Sequence, residues 1–197
     1  IARYELKDAQ GRELSGRSAD SEGLEVLNAR NGIQGDSVLL ISFERQPRVV
    51  SYTLDGTLIN EHQINNPLND IRNYVSENKS LEAIAYHAHY GLIIAPERPL
   101  KTDSEYLITL RTLDDKKWYF IPENKKYGSL VGLTTLADGR LLALERSFPG
   151  IMSGLTNSLH LLELSDPELT QSLLFTIRPS DGFLNDNFEG ISWHQDK

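Results

Sequence analysis

Apolar residues recur along this chain in short runs of about four to eight, and most runs alternate with polar positions rather than following a helical period. Each run is bounded by Gly, Asp, Asn or Pro, which is how short β-strands and their turns read. The runs predict strands over 22–27, 37–44, 47–54 and 57–64, then 81–87, 91–97, 105–113 and 116–122. A third group covers 130–137, 140–145, 157–165 and 171–177. Asp55-Gly56 and Asp138-Gly139 are hairpin signals, and Asp166-Pro167 marks a further bend.

The groups are copies of one pattern. "DSEGLEVL" (20–27), "KSLEAIAY" (79–86) and "GSLVGLTT" (128–135) open the three groups, and "NFEGISWH" (187–194) opens a fourth. Their acids stand at Glu22, Glu82 and Glu189, with Val131 in the third copy. In each group the second run ends on a Glu-Arg pair: Glu44-Arg45, Glu97-Arg98 and Glu145-Arg146, spaced 53 and 48 residues apart. Four antiparallel strands repeated every 50 or so residues describe the blades of a β-propeller. The expected fold is therefore all-β, a partial ring of three complete blades (about 20–70, 80–128 and 129–180). Two partial blades flank them, at 1–16 and 187–197. The whole chain reads as a single β-propeller domain or a fragment of one.

Why should buried strands end in charge? In an up-and-down meander the start of strand one and the end of strand two share an edge. The acids and the Glu-Arg pairs should then meet on one face around the channel mouth. The connections expected on that face are long, as in 65–80, 147–156 and 178–187, whereas those on the other face are tight turns. Long loops on a rigid scaffold are where binding and catalysis concentrate.

Composition narrows the partners. A chain of 197 residues with 39% hydrophobic content can bury a sizeable core. The net charge of −8 argues against a surface that tracks nucleic-acid phosphates. There are no cysteines, so neither disulfides nor thiolate chemistry is available. No apolar run approaches the ~18 residues of a membrane span. The opening "IARYELKD" lacks a methionine and resembles no signal peptide, which reads as a mature, trimmed or partial chain.

"LADGRLLALERSF" followed about 40 residues later by "NDNFEGISW" resembles the phytase-like, or esterase-like activity of phytase, domain of exported bacterial proteins. "SEGLEVL" and "LEAIAY…APERPL" fit the same pattern, so the resemblance covers most of the chain. It implies a β-propeller, periplasmic or secreted, with a hydrolytic role on phosphate or carboxylic esters.

Convergent carboxylates suit calcium, a hard cation that takes 6–8 oxygen ligands. Glu22, Glu82, Asp186, Asn187 and Glu189 are the candidate ligands, although Asp and Asn before a strand are also plain turn formers. Arg45, Arg98 and Arg146 could hold phosphate oxygens with their forked donors, and Glu145 is the candidate general base. The same Glu-Arg pairs could instead hold neighbouring blades together as ion pairs. His87 and His89 have a spacing found in metal sites, but their place on the tight-turn side reads as surface. No Gly-x-Ser-x-Gly elbow is present, and Trp118 and Trp193 read as packing between blades. The leading expectation is a metal-assisted hydrolase of a small ester, with a phosphate ester as the specific case. A non-enzymatic propeller that binds a ligand or partner, and a calcium-dependent lactonase-like hydrolase, are the alternatives.

Overall fold

A computed structural model describes residues 3–150, 154–182 and 186–194. Parts of two long loops on the charged side, 151–153 and 183–185, and the two chain ends lie outside the described residues. The described chain is all-β apart from three short 3-10 turns. Twelve strands form three four-stranded antiparallel sheets, each in the order of the sequence. The first contains β1 (Ser21–Leu27), β2 (Val38–Phe43), β3 (Arg48–Tyr52) and β4 (Leu58–His62). The second contains β5 (Leu81–His87), β6 (Gly91–Pro96), β7 (Ile108–Thr112) and β8 (Lys117–Phe120). The third contains β9 (Gly128–Thr135), β10 (Leu141–Ser147), β11 (Thr156–Leu164) and β12 (Leu169–Ile177).

The sheets stack through apolar faces. Leu40 and Val49 of the first sheet meet Leu81, Ile84 and Ile94 of the second, together with Leu68 and Tyr74 of the β4–β5 connection. Ala83, Ala85, Ile93 and Trp118 of the second meet Leu130, Leu141 and Leu162 of the third. Trp118 also donates to Ser165 O at 3.0 Å, so its indole N–H is satisfied where the ring is buried. The first strands lie side by side, β1 against β5 and β5 against β9. That approach is close: a Cβ on Gly23 would stand 2.4 Å from Glu82 O and 2.7 Å from Ile84 Cγ2. The glycine of the repeated Glu-Gly element is thus a packing requirement between sheets.

The described residues flanking the sheets form no strands. Residues 3–16 make a bend closed by a single bridge, Lys7 with Glu13, and cover the first sheet with Leu6 and Leu14. Residues 186–194 run along β9, where Ile191 packs on Gly132, and Trp193 N bonds to Thr134 Oγ1 at 3.3 Å rather than to a main-chain ladder. With a side chain taking the place of a ladder carbonyl, no strand is registered there. Trp193 remains 40% exposed, so the expectation that it packs between blades is corrected.

The register carries a detail that sequence spacing hides. In the first and second sheets, the first strand holds one extra residue opposite the second strand, between Ser21 and Leu24 and between Leu81 and Ala83. The third sheet does the same between Leu130 and Gly132. Glu82 and Val131 are the extra residues, and Glu22 stands in the matching irregularity. A bulge of this kind re-aims a side chain out of the sheet alternation.

Candidate functional site

The residue paired just below each bulge fixes which second-strand positions correspond. Phe43 pairs with Ser21, Pro96 with Leu81 and Glu145 with Leu130. Glu44, Glu97 and Arg146 are therefore equivalent, and the third Glu-Arg pair is displaced by one residue relative to the other two. Because side chains alternate faces along a strand, a one-residue slip sends Glu145 to the opposite side and turns Arg146 toward the shared mouth. Charge follows the same logic: where Val131 replaces the bulge acid, a cation occupies the neighbouring position.

Glu44, Glu82 and Glu97 come together, each offering a carboxylate oxygen within 4.8 Å of the others, and all three are buried. Asp20, Glu22 and Glu44 make a second triad within the same separation, so Glu44 belongs to both. Glu97 is neutralised on one side, accepting from Lys79 Nζ at 2.9 Å and from Arg146 Nη2 at 3.3 Å. Glu82, only 6% exposed, has no hydrogen-bonded or ion-paired side-chain partner among the described residues. Burial, reinforced by the charges of Glu97, Glu22 and Glu44, pushes its carboxyl up to about 9. Glu44 rises to about 7 for the same reason, burial first and then Glu22, against a lowering contact from the Ser80 main chain. Glu22 is solvent-exposed and is also raised, by partial burial and by Asp20 and Glu189.

Arg146 is the hub beside this cluster. Its Nη1 donates to Asn187 Oδ1 at 2.6 Å and to Glu189 Oε1 at 2.8 Å. Asn187 and Glu189, read from sequence as metal ligands, are thus occupied by a guanidinium. Asp186 turns its Oδ1 to the Asn187 N–H at 2.7 Å, so it stands outside the carboxylate cluster. Of the five candidate ligands, Glu22 and Glu82 are in the cluster, joined by Asp20, Glu44 and Glu97.

The other sequence candidates are placed elsewhere. Arg45 adopts a left-handed backbone, φ 46°, and pairs with Asp20 at 2.5 Å. Arg98 donates to the carbonyls of Gly128 and Lys126, and its half-buried guanidinium titrates below its usual range through desolvation. Glu145, 1% exposed, accepts from Glu123 N at 2.9 Å, Asn124 N at 3.1 Å and His160 Nε2 at 2.9 Å. It therefore anchors the loop between β8 and β9, its carboxylate committed to these three donors. His87 is buried, its Nδ1 accepting from the N–H groups of His89 and Tyr90, each at 3.1 Å, which makes it a turn anchor and not a surface residue.

Two cavities meet at this face. One of about 350 Å³ lies between the first strands and is bordered by Glu22, Glu82, Val131 and Glu189. The other, a cleft of about 680 Å³, is bordered by Lys79, Arg98, Lys126, Arg146, Tyr127 and Phe148 as well as Glu97 and Glu189. Glu189 borders both. Sequence reasoning passed over Lys79, Lys126 and Tyr127. Lys79 stands three residues before Glu82 in the repeated element, a position that the register brings against Glu97. The arrangement offers oxygen ligands for a cation on one side and cations for an anionic group on the other. Compared with known families, the chain matches the one described as Phytase-like, esterase-like activity of phytase, over residues 1–197. No curated protein matches the chain.

Proposed function

The chain belongs to the phytase-like family, and from that premise we propose that it is a hydrolase of a small ester, specifically a phosphate ester, acting where the carboxylate cluster adjoins the cationic cleft. The observation that carries this reading is the contact between opposite charges at one point: Glu97 belongs to the carboxylate triad and also accepts from Lys79 and Arg146. The three sheets are read as successive blades of a propeller, supported by the adjacency of β1, β5 and β9.

The donor set fits calcium. Five carboxylates supply only hard oxygen ligands, three of them crowd together in a buried place, and Glu82 lacks any donor of its own. Glu44, Glu82 and Glu97, with Asp20, would hold the ion. When bound, calcium would polarise an ester oxygen and neutralise charge developing on it. The chain's own groups do the rest. Arg146, held by Asn187, Glu189 and Glu97, keeps a fixed orientation toward the cleft, and Lys79 adds a second cation for phosphoryl oxygens. Glu22, exposed and with a raised carboxyl, is placed to take a proton from an attacking water. Glu145 is withdrawn from that role. The family resemblance further supports export to the periplasm or medium, which fractionation of expressing cells would test.

Calorimetry with calcium chloride tests the cation part. Saturable binding to wild type that is weakened at least tenfold in Glu82→Gln is expected. Absence of binding, with unchanged thermal stability in chelator, would remove the metal from the mechanism.

A further inference from the structure

We infer that the cleft beside Arg146 takes the monophosphate of an aromatic or bulky apolar alcohol, and not a polyol carrying several phosphates. The inference rests on the ester-hydrolase reading and adds the chemical class of the substrate.

A polyphosphorylated ligand needs many uncommitted cations, and this cleft has few. Arg98 spends its two terminal nitrogens on the carbonyls of Gly128 and Lys126. Arg146 is already shared among Asn187, Glu189 and Glu97. Lys79 gives one of its three donors to Glu97, and Lys126 pairs with no carboxylate among the described residues. Against these stand Glu97 and Glu189 in the same wall. The four cations of the lining set against these two carboxylates leave two positive charges, enough to balance one phosphoryl group, and each further phosphate would face the carboxylates.

Among these polar groups the wall carries two aromatic rings. Phe148 is 54% exposed and Tyr127 is 39% exposed, both at the cleft. Exposed aromatic rings beside cationic side chains suit a ligand with a flat apolar body and one anionic group. The loop that carries Tyr127 is also held in place. Tyr127 N donates to Asn124 O at 3.2 Å and to Asn124 Oδ1 at 3.0 Å, while Glu145 holds Asn124 and Glu123 from below. Glu145 is held in turn by His160, whose Nδ1 meets Gln171 Nε2 at 3.2 Å, and Gln171 bonds both main-chain groups of Ile121. A loop already held by the fold costs little ordering entropy when a ligand settles against it.

Calorimetry on the full chain at physiological salt, with phenyl phosphate, inorganic phosphate and inositol hexakisphosphate as probes, tests this. Phenyl phosphate should bind about five- to tenfold more tightly than inorganic phosphate, the range expected of one ring contact. Phe148→Ala should bring the two near parity while leaving inorganic phosphate unchanged, and Lys126→Met should weaken both. Tyr127→Leu provides a second variant should the first melt early. Equal affinity for phenyl and inorganic phosphate, or tighter binding of the hexakisphosphate, would overturn the inference and leave phosphoester hydrolysis standing. Binding of none of the three would remove both.

Discussion

Replacing Glu82 by Gln removes one charge from the buried triad while keeping its shape. In the folded chain the Glu82 carboxyl is raised from 4.5 to about 9, so the folded state holds a proton that the unfolded state releases. Stability from this group is therefore fully present below pH 4.5 and is lost as pH rises toward about 9. An isolated group with that shift would lose about 1.4 kcal/mol per pH unit, or about 4 kcal/mol between pH 5 and 8. Glu22 and Glu44, both also raised, titrate with it, and solvent at the exposed edge screens the cluster, so about 1–3 kcal/mol is the expected loss. The Gln variant escapes this penalty, and its amide N–H groups can donate to Glu44 and Glu97. In chelator at pH 8 it should melt about 3–10 °C above wild type, at about 2–4 °C per kcal/mol for a chain of this size. At pH 5 the two should melt nearly together, and calcium should stabilise wild type more than the variant. Thermal unfolding followed by circular dichroism at the two pH values reads all of this. A variant that melts well below wild type in chelator at pH 8 would refute the reasoning, since the Glu82 charge would then be satisfied by the protein itself.

Three other substitutions probe the scaffold. Glu145→Ala leaves the N–H groups of Glu123 and Asn124 and the His160 ring without their acceptor, and should cost about 2–4 kcal/mol in urea unfolding. Full retention of stability would mean that the loop is held elsewhere. Gly23→Ala places a Cβ 2.4 Å from Glu82 O, and should destabilise by about 2 kcal/mol or more while displacing Glu82; unchanged stability and calcium affinity would contradict the close strand approach. Arg98→Lys cannot reach both carbonyls of the 126–128 turn, so a loss of about 1–2 kcal/mol is expected, and a neutral result would show that the fork is unused.

Most of the fold was legible because hydrophobic alternation and turn residues report directly on strands. The run at 91–97 became β6 at Gly91–Pro96, and 171–177 fell inside β12 at Leu169–Ile177. What failed to read was register. "FER", "PER" and "LER" look equivalent, yet the strand pairing sets Arg146 against Glu44 and Glu97, and Glu145 against Pro96. Charge identity at a strand end does not say which face it points to. Nor do the bulges that aim Glu22 and Glu82 leave a mark in composition. Glu145 was drawn inward by His160, a partner 15 residues away on the adjacent strand, which local spacing cannot foresee. Asn187 and Glu189 both bond the Arg146 guanidinium, a partner about 40 residues away that local spacing does not reveal.

The central claim is tested most directly by turnover of p-nitrophenyl phosphate, measured with purified chain across a calcium titration and again in excess chelator. The account predicts hydrolysis that rises saturably with calcium, disappears in chelator, and falls at least 100-fold in Arg146→Met with the fold retained. No turnover at any calcium concentration, or turnover indifferent to both chelator and Arg146, would contradict it.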